Sequence, residues 1–207
     1  MKIFLTLACM LMGYVLGSIP FALVIGKVFY KTDVREHGSG NLGGTNTGRV
    51  LGKKAGVAVI VLDLLKVVLA GGIASLVGPA CAILTGLCCC LGHAYPIFAH
   101  FKGGKAVASM FGFLLSISIF VFHNAFYFLQ PAIMFLAVLY LFKMVSVASI
   151  CSALSSSLMI TSMNWAFSAD NVLMIIGSWL LTLFVIVRHK ANIARVIAGT
   201  ESKIKWM

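Results

Sequence analysis

The chain has 207 residues, of which 61% are hydrophobic and only 10% charged, with a mean hydropathy of +1.06; soluble domains are nearer half apolar and a quarter charged, so a soluble globular class is excluded. The formal net charge of +11 arises from 16 Lys and Arg against five acids, Asp33, Glu36, Asp63, Asp170 and Glu201. Base readers need a folded basic face outside lipid, and these loops are too short to supply one, so the charge points to anionic headgroups or a phosphorylated substrate and away from nucleic acid.

Several apolar runs exceed the roughly eighteen residues that a bilayer crossing needs. The pattern predicts an all-α polytopic membrane protein, a single domain over 1–207 with about seven transmembrane helices. They fall near 3–26, 56–77, 80–99, 106–122, 125–142, 144–163 and 172–187. The opening run, "MKIFLTLACMLMGYVLGSIPFALVIGK", is too long for a signal peptide and lacks a small-residue cleavage site, so it reads as the first span. A long polar loop over 27–55 follows. Gly78-Pro79, His123-Asn124 and the polar stretch 164–171 make short turns on one side; Lys143 alone separates the fifth and sixth spans.

The opposite side carries Lys27, Lys31, Arg35, Arg49, Lys53, Lys54, Lys102, Lys105, Lys143, Arg188, Lys190, Arg195, Lys203 and Lys205, against Lys2 on the first. The positive-inside rule therefore places the N-terminus outside and the C-terminus in the cytoplasm. Within the spans, Asp63 and Lys66 are three apart on one helix face and can pair, lowering the cost of burial. Ser146, Ser149, Ser152 and Ser156 recur at helical spacing, as a close-packing face does. The six cysteines all lie in apolar runs, and consecutive "CCC" positions diverge by about 100°, so they read as small packing residues and not as a metal site or a disulfide framework.

Three polar stretches share the basic side. In "HGSGNLGGTNTGR", Gly38, Gly40, Gly43 and Gly44 let peptide N–H groups approach an anion, Ser39, Asn41, Thr45 and Asn46 add neutral donors, and Arg49 offers a fork for phosphate. A flexible linker is the alternative for this stretch, and its spacing is not that of a Walker loop. In "GHAYPIFAHFKGGKAVAS", Lys102 and Lys105 bracket Gly103-Gly104 at the start of a helix, a second anion site or a pair of interfacial anchors. His93 is either a ligand or base, or a hydrogen-bonded structural residue. In "RHKANIARVIAGTESK", His189, Asn192 and Arg195 step by three along a short helix beyond the last span.

Absences narrow the chemistry. No histidine is followed five positions later by Asp, no G-x-S-x-G occurs, and carboxylates are too few for a two-metal phosphotransferase site. No metal or cofactor is expected. The reaction needs little base activation and much anion neutralisation. A small transporter of an anionic metabolite is the rival class, disfavoured because the polar residues cluster on one face.

Together the three stretches, with "GSIPFALVIGK" from Gly17, resemble the PlsY-type acyl-phosphate:glycerol-3-phosphate acyltransferases of bacteria, in the family's order and over essentially the whole chain. The third block is carried by His189, Asn192, Arg195, Gly199 and Glu201. Leu42 stands where the family usually has Pro, Gly44 where it has Ala, and Ala106 where it has Gly. The resemblance implies a multi-pass protein of the bacterial cell (inner) membrane with a cytoplasmic active site, whose partners are acyl phosphate, glycerol 3-phosphate and membrane lipid. Catalysis would fall to Ser39, Lys105, His189 and Asn192, and substrate binding to the loop donors, Arg49, His93, Lys102, Gly103 and Gly104. The donor's own phosphate, or His189, would take the proton. The sequence points to no protein partner.

Overall fold

A computed structural model describes residues 1–164 and 168–204; the middle of the expected 164–171 turn, and Lys205, lie outside them. Every described regular element is helical: α1 (Lys2–Gly17), α2 (Phe21–Tyr30), α3 (Gly44–Leu51), α4 (Lys53–Ser75), α5 (Pro79–Ala94), a 3-10 turn (Ile97–Ala99), α6 (Val107–Phe120), α7 (Phe126–Phe142), α8 (Val145–Met163), α9 (Ala169–Arg188) and α10 (Lys190–Ile197). Five segments are long and apolar enough to cross a membrane: Lys2–Tyr30, Lys53–Ser75, Pro79–Ala99, Val145–Met163 and Ala169–Arg188. Two further apolar helices, α6 with 14 residues and α7 with 17, are shorter. These are the seven expected segments, of which five reach spanning length.

The chain divides into two compact units, Met1–Val121 and Phe122–Met207. In the first, α4 packs on α1, α3, α5 and α6. Without a hydrophobic drive between helices in lipid, close backbone approach at small residues supplies the packing. A Cβ on Gly13 would lie 2.6 Å from the Thr85 carbonyl oxygen, and one on Gly17 2.9 Å from the Cys89 Cα, so α1 lies flush on α5. Cys81, Cys89 and Cys90 are buried, Cys89 against Gly17, whereas Cys88 is partly exposed.

Two features depart from the sequence reading. The first span is not one helix: it breaks at Ser18–Pro20, because Pro20 has no N–H to continue the ladder and restricts the residue before it. A carbonyl freed within lipid needs a donor, and the Lys66 ammonium reaches the Ile19 carbonyl at 3.0 Å. The expected 27–55 loop, in turn, contains α3. Glycine disfavours helix, yet here it permits the contact that holds one: a Cβ on Gly56 would lie 2.7 Å from the Gly48 Cα and 2.8 Å from the Gly44 carbonyl oxygen. Gly56→Ala should therefore lower stability by about 1–3 kcal/mol, because the obstruction is backbone and cannot rotate away; thermal unfolding in detergent measures it.

In the second unit α7 and α8 form an antiparallel pair joined at Lys143, whose φ of 58° places it in the left-handed region. The serine face of α8 is buried as expected: Ser152 donates to the Pro131 carbonyl at 2.8 Å, and Ser149 and Ser156 bond within their own helix. Ser146 differs, since its hydroxyl donates to Glu201 at 2.6 Å. Ser157 and Thr182 tie α8 to α9 at 2.7 Å.

Candidate active site

The glycine-rich loop is anchored at both ends. At its start Asp33 accepts from the Arg35 guanidinium at 2.6 and 3.0 Å and lies 3.3 Å from Lys27. The Arg35 hydrogen bonds hold the Asp33 carboxyl far below the usual range despite partial burial. Arg35 is thereby committed to the base of the loop. Leu42, at the position where the resemblance expects Pro, buries its side chain with Ala22, Leu23, Ile25, Val34, Ala55, Val59 and Ala99, so the loop is pinned by apolar burial.

Asn46 organises what lies between. Its Oδ1 accepts from the Ser39 backbone N–H at 2.8 Å and the Ser39 hydroxyl at 3.1 Å. Its Nδ2 donates to the carbonyls of Val34 at 2.9 Å and His37 at 3.2 Å. Both amide hydrogens are used and the residue is 2% exposed, so Asn46 is a strut of the loop and not the side-chain donor to an anion expected from sequence. Gly38 and Gly40, with φ of +61° and +66°, make the turn that brings Ser39 to it. Ser39 is exposed; its hydroxyl must turn from Asn46 to donate outward, while the backbone bond stays.

The amides left without a helical acceptor are those at the start of α3. Gly43 is extended at the N-cap and brings no side chain to cap the helix. The first-turn N–H groups of Gly44, Thr45 and Asn46 therefore have no intrahelical acceptor and carry the positive end of the helix dipole. Thr45 and Arg49, four apart on α3, are both exposed. Helical side chains lean toward the N-terminus, so Arg49 leans toward these amides. Its guanidinium holds no ion pair or hydrogen bond among the described residues. Asn41 and Gly43 flank the same turn, with a Cβ at Gly43 falling 3.1 Å from the Asn41 Nδ2.

The second stretch is built differently from expectation. The amides of Gly103 and Gly104 were expected as anion donors at a helix start; instead Gly103 donates to the Ala94 carbonyl at 3.1 Å and Gly104 to that of His93 at 3.2 Å. The helix α6 begins only at Val107, after Ala106 with φ of 59°, so the glycines serve to fold the chain back onto the end of α5. Lys102 is exposed and Lys105 partly buried beside this fold. His93 is buried and its Nδ1 lies 3.2 Å from the Lys66 ammonium. The same turn meets the first loop, since a Cβ on Gly104 would lie 2.7 Å from the Leu42 carbonyl oxygen. Within this unit the structure thus brings the first two stretches side by side.

The third stretch forms α10 as the spacing predicted. The His189 Nδ1 lies 2.8 Å from the Val185 carbonyl, which can only accept, so Nδ1 carries the proton and the lone pair of the neutral ring is on Nε2. Gly199, with φ of +69°, closes α10 in a Schellman arrangement in which Thr200 N–H reaches the Arg195 carbonyl at 2.8 Å. That turn returns Glu201 onto the helix. Its Oε1 accepts from Asn192 Nδ2 at 2.6 Å and from Ser146, and its Oε2 from Arg195 Nε at 2.8 Å. Burial pushes this carboxyl up, but the hydrogen bonds of Ser146, Asn192 and Arg195 outweigh it and hold it below the ordinary value. Asn192 is therefore aimed by a carboxylate. Ser146, which sequence reasoning assigned to packing, belongs to this cluster; an acid among only five, nine residues beyond Asn192, was the available signal.

Residues 7–199 match the family model described as glycerol-3-phosphate acyltransferase. The glycerol-3-phosphate acyltransferase of Geobacillus kaustophilus is 44% identical over 203 residues, 98% of each chain. That of Bacillus subtilis is 42% identical, covering 95% of this chain and 96% of its own. Among solved structures, the fold is similar to PlsY, an integral membrane glycerol 3-phosphate acyltransferase, in its glycerol 3-phosphate form, with a TM-score of 0.87 and 34% identity over 97% of this chain and 96% of that one. The lysophosphatidic acid form of PlsY gives a TM-score of 0.84 over the same share of this chain and 95% of its own.

Proposed function

The chain belongs to the glycerol-3-phosphate acyltransferase family and is an integral membrane acyltransferase of phospholipid synthesis, and from that premise we propose acyl phosphate as its acyl donor. The 1-hydroxyl oxygen of glycerol 3-phosphate attacks the acyl carbonyl, the bond from that carbon to the phosphate oxygen breaks, and lysophosphatidic acid and inorganic phosphate leave. An acyl phosphate is a mixed anhydride with a good leaving group, so no covalent enzyme intermediate is needed.

The observation that carries this reading is the start of α3, where uncapped amides, Thr45 and the exposed Arg49 make an anion cradle in a chain otherwise poor in acid–base groups. Within the loop over 40–46, the backbone amides of Gly44, Thr45 and Asn46 hold the donor's phosphate, since those of Gly40 and Gly43 donate to the His37 and Asn41 carbonyls. Arg49, Lys105 and Ser39 hold glycerol 3-phosphate, and His189 and Asn192 orient its hydroxyl. The proton goes to the departing phosphate or to His189 Nε2. Fixed donors around the carbonyl and leaving phosphate supply most of the acceleration. Seven crossings, an outer N-terminus and a cytoplasmic site in a bacterial inner membrane fit the distribution of Lys and Arg. Purified protein given acyl phosphate and glycerol 3-phosphate should release phosphate and form lysophosphatidic acid, with acyl-CoA and acyl carrier protein failing as donors. Equal turnover with either thioester would overturn the donor assignment.

A further inference from the structure

We infer that Asp63, Lys66 and His93 form a positioning network that sets where Lys105 stands relative to the glycine-rich loop. The inference rests on the reading of Lys105 and that loop as phosphate-binding. The three side chains are buried, at 2%, 5% and 7% exposure, inside a unit that crosses lipid. Burying charge there is costly, and apolar residues of similar size usually hold a core at least as well. Part of the arrangement has a local cause: Lys66 caps the Ile19 carbonyl freed at the α1–α2 break, and Asp63, 2.8 Å away, neutralises it.

His93 is needed for neither task. Its Nδ1 lies 3.2 Å from Lys66 Nζ and 3.3 Å from Asp63 Oδ1. Lys66 can only donate, so Nδ1 accepts and the ring is the neutral Nε2–H tautomer. Asp63 Oδ1 is in charge contact with the Lys66 ammonium and lies close to His93 Nδ1, but it meets neither nitrogen at a hydrogen-bonding angle. A carboxylate placed that way sets charge and does not clamp; the ring is steered by Lys66.

The far edge of the ring lies against the residue before Lys105. A Cβ on Gly104 would strike His93 Nε2 and lie 2.9 Å from Cε1, and it would also lie 2.7 Å from the Leu42 carbonyl oxygen. The Gly104 N–H is held by the carbonyl of His93 itself. Ring and backbone of one residue thus fix Gly104 from two sides, and the loop carbonyl at Leu42 shares the contact. A shift of the ring moves Lys105, one residue on, against the loop.

A double-mutant cycle tests this with Asp63→Asn, which keeps shape and removes charge, and His93→Phe, which fills the ring's place without accepting from Lys66. KM for glycerol 3-phosphate should rise about tenfold in each single variant with kcat changed less than about threefold, and the pair should be no worse than His93→Phe alone. His93→Gln, which restores a polar group of similar reach, should bring KM back to within about threefold. Unchanged KM with a lowered melting temperature, or effects that multiply, would reduce the trio to a buried ion pair with a bystander ring. If His93→Phe does not fold, KM of Asp63→Asn alone decides. Lys105→Ala separates the two levels: near-normal turnover there overturns the site reading, whereas a crippled Lys105→Ala beside an unchanged Asp63→Asn overturns only the network.

Discussion

Arg49→Ala should lose about 100- to 1,000-fold in turnover, the size of effect seen when one preorganised donor to developing charge is removed, while melting within about 0.5 kcal/mol of the parent protein. The two halves of this expectation have separate causes. The guanidinium is exposed at the last turn of α3, so the fold loses nothing when it goes. On the proposed reading, the substrate phosphate loses a fork of parallel N–H donors, which a point charge does not replace; Arg49→Lys should therefore recover only part of the rate. Turnover assays on protein whose unfolding curve has been recorded check both halves. An Arg49→Ala enzyme with near-normal turnover would remove α3 from the site.

That this stretch forms a helix was hidden in the sequence. The apolar runs declare the membrane helices because lipid leaves no other use for them, and the three polar stretches declare themselves by contrast. Within "GSGNLGGTNTGR" glycine density reads as loop, since propensity counts each glycine against a helix. The information that reverses it lies on α4, where Gly56 lets α3 sit on its backbone. Asn46 looked like an available donor for a related reason: only the folded loop reveals that Val34 and His37 take both its hydrogens. The Asp63–Lys66 pair was legible at a spacing of three on one helix. His93 joins it from α5, 27 residues away, and only helix packing brings them together. The bonds that commit the Gly103 and Gly104 amides to the Ala94 and His93 carbonyls could not be read from sequence, where an amide pair beside two lysines suggests an anion site.

Glu201→Ala should be the most damaging change in the second unit. Its carboxylate lies outside the apolar spans, is 8% exposed, and receives Ser146, Asn192 and Arg195. Truncation strands the buried Ser146 and Asn192 donors, and two charge-assisted bonds of roughly 1.5 kcal/mol each put the loss near 3 kcal/mol. The Arg195 side chain is 43% exposed and returns to water, adding little. Asn192 also loses the group that aims it; if it orients the acceptor hydroxyl as proposed, misplacement by an ångström costs about 100-fold in rate, so turnover should fall further than stability alone explains. Glu201→Gln distinguishes shape from charge, since its amide keeps one accepting oxygen for Ser146 and Asn192 but turns a donor toward Arg195. The pH dependence has a definite sign. The folded carboxyl titrates below an unfolded glutamate, so its stabilisation is complete above the ordinary value of about 4.3 and is lost as pH falls through the depressed folded value. Melting curves recorded from pH 7 downward should therefore converge for the parent and Glu201→Gln only in that acidic window; convergence already at pH 6 would mean that the charge on Glu201 does not hold Asn192 in place.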